Sequence, residues 1–283
     1  MKKIETGPGL VFDALVDGPD DGALVVLLHG FAESFHTWRS QLATLAAAGY
    51  RAVAPSQRGY SPGARPDTAD PAHYEFDKLV ADAMNVAAAC SHAHNRFHLV
   101  GHDWGGSIAW GIADRYPSRL ASLTVLSRPH PKAFNRALQM ADGEQARRSQ
   151  HHEAFLDPNA ATLLLANDAQ WLRERLAHSS VPAAAIERHI GVLGNAPAME
   201  AALTWYRARG AIRTPLGAIS VPVLYLWGDA DDTVGRAAAE GTGEFVAGPY
   251  QFEILSGVGH FAADQAPERV DALLLAHIAK HPV

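Results

Sequence analysis

The chain has 283 residues, of which 48% are hydrophobic and 19% charged, and its formal net charge at pH 7 is -6. This composition predicts a folded, mildly acidic protein with an ample core, and it excludes the basic surface typical of nucleic-acid binding. The apolar runs are of strand length, and the first residues lack the apolar core of a signal peptide. We therefore expect neither a membrane partner nor secretion.

Cysteine and histidine content bears on location and metal binding. Cys90 is the only cysteine, so no intrachain disulfide can form, which suits a cytoplasmic protein. The chain has 15 histidines, and two pairs of them lie close together in sequence, His92 with His94 and His151 with His152. Neither pair has the helical or cysteine-paired spacing of zinc ligands, so we expect no metal site.

Six short apolar runs alternate with longer alanine-rich stretches. Because parallel strands are buried on both faces and joined by helices, this alternation predicts an α/β fold with a mostly parallel, doubly wound sheet. Near the end, Val270, Leu274 and Ile278 share one face of a predicted amphipathic helix. The predicted strands cover residues 24–28, 50–54, 97–100, 120–126, 221–227 and 252–255.

The alternation stops between residues 129 and 215. Strand-like runs vanish there, and the segment is rich in Ala, Arg, Gln and His, with helix breakers at Pro158, Pro182 and Pro197. An insertion bracketed by strands predicts a helical lid over the carboxyl ends of the sheet. We therefore expect a core formed by residues 1–128 and 216–283, with residues 129–215 as the lid.

A sharp turn follows the strand predicted at 97–100. The sequence Gly101-His102-Asp103-Trp104-Gly105-Gly106 leads into a helical stretch, as in the elbow that holds a nucleophile between glycines. Asp103 occupies the nucleophile position. A carboxylate is ionised at neutral pH but weakly nucleophilic, so it suits an electrophilic sp³ carbon such as that of an epoxide or an alkyl halide. A simple helix N-cap at Asp103 is the alternative.

Three further motifs accompany the elbow. They are His29-Gly30-Phe31-Ala32-Glu33-Ser34, Arg58-Gly59-Tyr60-Ser61 and Gly257-Val258-Gly259-His260-Phe261. Together with the elbow they resemble the epoxide hydrolases of the α/β-hydrolase superfamily, although Ala32 stands where proline is common in that family. The likeness extends from about Leu24 to the C-terminus, and it implies the α/β-hydrolase fold.

The resemblance implies roles for residues of the core. Asp103 is the expected nucleophile, and the backbone N–H groups of Phe31 and Trp104 are the expected oxyanion donors. His260 is the expected general base, because the nucleophile, the acid and the histidine follow one another in that order in this fold. The family pattern Gly-x-x-Asp selects Asp231 as the orienting acid. The aspartates at 229 and 232 are then solvated loop charges, and residues 127–130 offer no carboxylate.

The resemblance also implies acid groups on the lid. The segment 202–207 resembles the family motif Leu-Asn-Trp-Tyr-Arg, which makes Tyr206 a donor to the epoxide oxygen. Most relatives add a second lid tyrosine, and His151 stands in its position here. A histidine can donate from a ring nitrogen, and the neighbouring His152 stays open as the residue that does so.

The expected activity is hydrolysis of an epoxide to a vicinal diol through a covalent ester on Asp103, with water as co-substrate and no cofactor. One alternative is a haloalkane dehalogenase, which shares the nucleophile and would use the indole N–H of Trp104 for the halide. Those enzymes commonly carry asparagine after His-Gly, and Phe31 cannot donate from its side chain. A non-catalytic ligand-binding protein of the same fold is another alternative. The particular substrate and a homo-oligomeric state stay open.

Overall fold

The structure is a computed structural model that describes residues 1–7, 9–91, 96–208 and 216–283. Its described part forms one sheet of eight strands in the order β1-β2-β4-β3-β5-β6-β7-β8. The pairs from β4 to β8 are parallel, whereas β2 pairs antiparallel with both β1 and β4. The strands are β1 (Lys2–Gly7), β2 (Leu10–Asp17), β3 (Leu24–Leu28), β4 (Arg51–Pro55), β5 (Phe97–His102), β6 (Leu120–Leu126), β7 (Val223–Gly228) and β8 (Tyr250–Leu255).

The sequence predicted the six strands β3 to β8 and missed the two at the amino-terminal edge. Strands buried on both faces form continuous apolar runs, and all five residues of β3 are buried. In β1 only Ile4 is buried, and β2 alternates buried with half-exposed positions. Their apolar signal is therefore weak, although their backbones complete the sheet.

Helices cover both faces of the sheet. The helices α1 and α12 enclose one hydrophobic cluster, and α2 and α3 enclose the other, which continues into the inserted segment. Successive residues of β3 contribute to opposite clusters, because neighbouring side chains of a strand point to opposite faces. The helices outside the insertion are α1 (Arg39–Ala47), α2 (Phe76–Cys90), α3 (Trp104–Arg115), α10 (Arg236–Glu240), α11 (Ala262–Gln265) and α12 (Pro267–Ala279).

Within its described residues, the segment between β6 and β7 contains helices joined by loops, and the residues just before β7 are not helical. Its longest helix, α7, is kinked, with left-handed backbone at Asn167, Asp168 and Ala169. The carboxyl-terminal limit predicted for the lid lies within residues 209–215, outside the described residues, as do His92 and His94. The helices of the segment are α4 (Pro131–Leu138), α5 (Glu144–Arg148), α6 (His151–Ala154), α7 (Ala160–His178), α8 (Ala183–Leu193) and α9 (Ala196–Arg207).

The described residues contain neither a candidate membrane span nor a candidate metal-binding cluster. Among the described residues, no helix is both long and apolar enough to cross a bilayer. Within the same residues, no group of three or more His, Cys, Asp or Glu side chains is arranged to hold a metal ion.

Candidate active site

The turn between β5 and α3 has the geometry of a nucleophile elbow. Asp103 has a left-handed φ of +48°, which is uncommon for a residue with a side chain. The flanking glycines are sterically required, since a Cβ on Gly105 would lie 2.1 Å from the carbonyl oxygen of Leu28. A Cβ on Gly101 would lie 2.4 Å from the carbonyl oxygen of Gly105. Asp103 therefore has the strained backbone conformation at this turn. Such strain is typical of residues at functional sites.

The carboxylate of Asp103 faces the loop that follows β3. Its Oδ1 accepts a hydrogen bond of 3.0 Å from the backbone N–H of Phe31, and within the described residues its side chain does not cap α3. Trp104 begins α3, where the first backbone N–H groups have no carbonyl partner within the helix. Asp103 thus occupies the N-cap position of α3 without a side-chain capping bond. Its carboxylate accepts from the Phe31 N–H instead, and Trp104 is the next residue along the chain.

Neighbouring groups lower the pKa of Asp103 and keep it ionised. Burial alone would raise its pKa, but His260, His102, the Phe31 N–H and Arg128 together lower the pKa to about 2. Asp103 is therefore a carboxylate at neutral pH and carries no proton that a base would first have to remove.

The loops after β7 and β8 bring Asp231 and His260 to the same edge of the sheet. The Nε2 atom of His260 lies 3.9 Å from Oδ2 of Asp103, and its Nδ1 atom lies 3.2 Å from both carboxylate oxygens of Asp231. Asp231 is 1% exposed, whereas the aspartates at 229 and 232 are exposed. Burial would raise the pKa of Asp231, but His260 and hydrogen bonds from Ser127 and Val234 lower it. Asp231 is therefore an ionised partner for the imidazole.

A cavity of about 150 Å³ opens onto these side chains. Its walls include Asp103, His260, Tyr206 and His151, so two residues of the inserted helices and two residues from the edge of the sheet face one space. Burial lowers the pKa of His151, which favours its neutral form. His152 does not line this cavity within the described structure; its ring lies 5.7 Å from that of Tyr206. The geometry therefore favours His151 over His152 as the second lid group.

Comparisons with known proteins identify the family of the chain. The sequence model of the alpha/beta hydrolase fold matches residues 23–267. The chain belongs to the α/β-hydrolase fold family. It is 28% identical over 276 residues to the AB hydrolase superfamily protein YfhM of Bacillus subtilis, with 95% of each chain covered. It is 29% identical over 310 residues to Epoxide hydrolase A of Mycobacterium tuberculosis, with 92% of each covered.

Solved structures give the same result. A structure described as a novel epoxide hydrolase of the alpha/beta hydrolases superfamily from hot-environment metagenomes superposes with a TM-score of 0.86 at 29% identity, covering 99% of this chain and 98% of that one. The predicted fold class is therefore confirmed, and the chain is a hydrolase.

The hydrolase contains a buried ion pair to which the sequence analysis gave no role. Oε1 of Glu33 accepts hydrogen bonds of 2.7 Å from the Gly30 N–H and from Nδ1 of His102, and Nε2 of His102 lies 2.8 Å from the His260 carbonyl oxygen. Burial would lower the pKa of His102, but Glu33 raises it to about 9. The charged pair thus ties the Phe31 loop to the His260 loop. Both residues lie in recognised motifs, which was the only available signal.

A second missed residue is Ser127, directly after β6. Its hydroxyl lies 2.6 Å from Oδ2 of Asp231 and 2.8 Å from Nδ1 of His260. The sequence-based expectation for residues 127–130 concerned only a carboxylate, which none of them carries. The position of the residue at the end of a strand, at the edge where Asp103 and Asp231 lie, was the available signal.

Three side chains of the inserted helices hold the loop that carries Asp231. Arg148 donates a hydrogen bond of 2.6 Å to the Asp231 carbonyl oxygen, and Gln145 accepts one of 2.9 Å from the Gly235 N–H. Arg175 binds both carboxylate oxygens of Asp232 at 2.8 and 2.7 Å. Asp232 is therefore exposed but ion-paired, rather than a solvated loop charge as expected. The inserted helices thus fix part of the core as well as covering it.

Proposed function

We propose that this hydrolase is an epoxide hydrolase that converts an epoxide and water to a vicinal diol through a covalent ester on Asp103. The observation that carries the proposal is the single cavity in which an ionised elbow carboxylate, a histidine base and two lid donors meet. The relatives named epoxide hydrolases support it. Residues 129–215 act as the lid in this proposal.

The first half of the reaction opens the ring. An oxygen of Asp103 attacks one epoxide carbon, and the bond between that carbon and the epoxide oxygen breaks. The hydroxyl of Tyr206, with a ring nitrogen of His151, stabilises and protonates the departing oxygen. Positioned acids of this kind contribute about 10²- to 10⁴-fold to a rate. The product is a hydroxyalkyl ester of Asp103.

The second half hydrolyses the ester. His260 takes a proton from a water molecule whose oxygen attacks the ester carbonyl carbon, and Asp231 stabilises the imidazolium that forms. The N–H groups of Phe31 and Trp104 stabilise the oxyanion, and the existing bond of 3.0 Å from Phe31 to Asp103 supports this role. The tetrahedral intermediate then collapses, and the imidazolium of His260 gives its proton to the departing diol oxygen. The second proton of the attacking water returns to the Tyr206 oxygen, so Asp103 is restored as a carboxylate.

The cavity suggests a small epoxide with an apolar part. Its volume of about 150 Å³ is below the about 300–1,000 Å³ usual for sites that enclose drug-sized ligands. Phe31, Phe155 and Trp171 provide apolar walls. Phe31 offers no side-chain donor for a halide, which makes the dehalogenase alternative less suitable.

A single-turnover reaction in ¹⁸O-water tests the proposal. With enzyme in excess over each epoxide of a panel, we expect ¹⁸O in the peptide that contains Asp103 and an unlabelled first-turnover diol, because water attacks the ester and not the epoxide. His260→Gln should accumulate the ester, detected as added mass on that peptide, and Asp103→Ala should form none.

Other outcomes separate the alternatives. A labelled first-turnover diol with an unlabelled peptide would mean direct attack by water. Halide release from alkyl halides without diol formation from epoxides would indicate a dehalogenase. Saturable binding without any ester would indicate a binding protein.

A further inference from the structure

We propose that Ser127 is a positioning residue that links Asp231 to His260 and sets the orientation and tautomer of the histidine. Its kinetic consequence rests on the proposed function, whereas its effect on the histidine ring does not. The hydroxyl lies between the two side chains and nearer to the imidazole nitrogen than the carboxylate is.

The backbone of Ser127 is held in an unfavourable conformation. Its φ is +63°, in the left-handed region that residues with a side chain seldom adopt. Its N–H donates a hydrogen bond of 2.8 Å to the carbonyl oxygen of Leu226, and its own carbonyl oxygen accepts one of 2.7 Å from the hydroxyl of Tyr225, which is fully buried. Both backbone groups are thus anchored to β7. Strain that neighbours impose in this way is typical of functional sites.

The direction of the hydrogen bonds follows from the charge of Asp231. An ionised carboxylate only accepts, so the hydroxyl proton of Ser127 points to Oδ2 of Asp231 at 2.6 Å. The hydroxyl oxygen is then free to accept from Nδ1 of His260 at 2.8 Å. This arrangement places the proton of the neutral ring on Nδ1. It leaves Nε2, the atom that lies 3.9 Å from Asp103, as the proton acceptor.

The other carboxylate oxygen is already occupied. Oδ1 of Asp231 accepts the backbone N–H groups of Thr233 at 2.8 Å and Val234 at 3.0 Å. The contacts of the two carboxylate oxygens of Asp231 with Nδ1 of His260 are longer, at 3.2 Å each. The hydroxyl is therefore the shortest link between the acid and the base.

This link should matter in one half of the reaction only. Ring opening by Asp103 forms no new charge on His260. Ester hydrolysis makes His260 an imidazolium, and the Nδ1–H bond to Ser127 strengthens as that charge develops. Hydrogen bonds that involve charged groups are stronger than neutral ones, so we expect their loss to slow ester hydrolysis about 10- to 100-fold.

Three substitutions separate the contribution of the Ser127 hydroxyl from that of its left-handed backbone conformation. Ser127→Ala and Ser127→Gly both remove the hydroxyl, but glycine relieves the left-handed strain. Ser127→Asn tolerates the left-handed conformation, and its amide can both donate and accept. A purely structural role predicts that glycine is as good as serine. The proposed role predicts that alanine and glycine are equally slow and that asparagine recovers most of the rate.

The kinetic test follows the ester on Asp103 by rapid quench and mass spectrometry. We expect ester hydrolysis to slow about 10- to 100-fold in Ser127→Ala and Ser127→Gly, while ester formation changes less than about twofold. Wild-type hydrolysis rates in both variants would overturn the proposal, and so would an equal slowing of both steps. Near-ultraviolet circular dichroism identifies any variant that fails to fold, in which case the remaining two variants carry the test.

A second measurement needs no substrate. In protein labelled with ¹⁵N-histidine, the downfield proton resonance of the His260 Nδ1–H is identified by its loss in His260→Gln. We expect it to move in Ser127→Ala and Ser127→Gly and to return towards its wild-type position in Ser127→Asn. An unchanged resonance would overturn the proposal. If the resonance moves but wild-type enzyme forms no ester with any epoxide, the positioning role stands and the proposed function fails.

Discussion

Different interactions hold the two halves of the candidate active site. The core half contains Asp103, Asp231 and His260, and the lid half contains Tyr206 and His151 of the proposed lid. In the core half, directional hydrogen bonds of 2.6–3.2 Å join Asp231 to Ser127 and His260, and Glu33 to His102. In the lid half, aromatic rings surround Tyr206. Its ring centroid lies 5.6 Å from that of Phe31, 5.2 Å from that of Trp104 and 5.0 Å from that of Phe155.

This difference gives a reason for the departure from the family pattern at His151. Hydrogen-bonded charges in a buried site require particular atoms at particular distances, because an unpaired buried charge is costly. Ring packing depends more on shape, so a histidine at 151 can occupy the position expected for a tyrosine. We therefore expect removal of a charged partner in the core half to cost folding stability, and substitutions in the lid half to slow mainly ester formation.

The largest effect is expected from Glu33→Gln. Removing one partner of a buried ion pair costs about 3–5 kcal/mol of unfolding free energy, because the other charge is left unpaired. The folded pKa of Glu33 is lowered to about 2 from its usual 4.5, so its contribution is present above pH 4.5 and is lost as the pH falls towards 2. The folded pKa of His102 is raised to about 9 from 6.5, so its contribution is present below pH 6.5 and is lost as the pH rises through 9.

Urea unfolding between pH 4 and 10 measures this effect. The difference between wild type and Glu33→Gln should be largest between about pH 4.5 and 6.5 and should shrink towards pH 9. Glu244→Gln is the matched control, since Glu244 is paired with Arg136 on the surface, and we expect no measurable change there. A difference that does not vary with pH would contradict the charged pair.

An intermediate effect is expected from Tyr206→Phe. The substitution keeps the ring contacts and removes only the hydroxyl, so the lid packing should survive while the proton donor is lost. We expect formation of the Asp103 ester to slow about 100-fold or more, with little change in ester hydrolysis, measured by rapid quench. His151→Phe should slow the same step.

The matched control is Tyr74→Phe. The Tyr74 hydroxyl donates a hydrogen bond to the carbonyl oxygen of Pro66, outside the cavity, so its loss should leave ester formation unchanged. If Tyr206→Phe instead slowed ester hydrolysis, the proposed division between the two halves of the site would be wrong.

The smallest effect is expected at the contact between the halves. Asp232→Asn weakens the pair with Arg175, whose side chain is 21% exposed while that of Asp232 is 49% exposed. Such a solvent-screened pair contributes less than about 1 kcal/mol. We expect a KM raised by less than about tenfold and an unchanged kcat, because the pair lies at the cavity wall and takes no part in either proposed chemical step.

Glu187→Gln provides the comparison for this contact. The pair of Arg173 with Glu187 lies within the lid and does not join it to the core, so KM should stay unchanged. A fall in kcat for Asp232→Asn would mean that the lid helps to hold Asp231 during the reaction.

The sequence by itself determined the strands β3 to β8, the elbow around Asp103 and the order of the candidate triad. These features are local, since a buried parallel strand forms a continuous apolar run and a crowded turn requires glycine at fixed positions. The sequence did not identify the contacts of a side chain wherever no local pattern specified them. The choice between His151 and His152 is one such case, because adjacent residues of a helix point about 100° apart and only packing selects the inward one.

Tertiary structure decided the contacts that complete the core half. Ser127 meets Asp231 across 104 residues of sequence, and Glu33 meets His102 across 69. The sheet brings them together by aligning the carboxyl ends of its parallel strands. The strands β1 and β2 pair with each other as neighbours in sequence, but their place at the edge of the sheet depends on the pairing of β2 with β4, which no local pattern specifies. Hydrogen-bond partners that are distant in sequence leave no periodic trace in the chain, which is why Ser127 appeared only when the chain was folded.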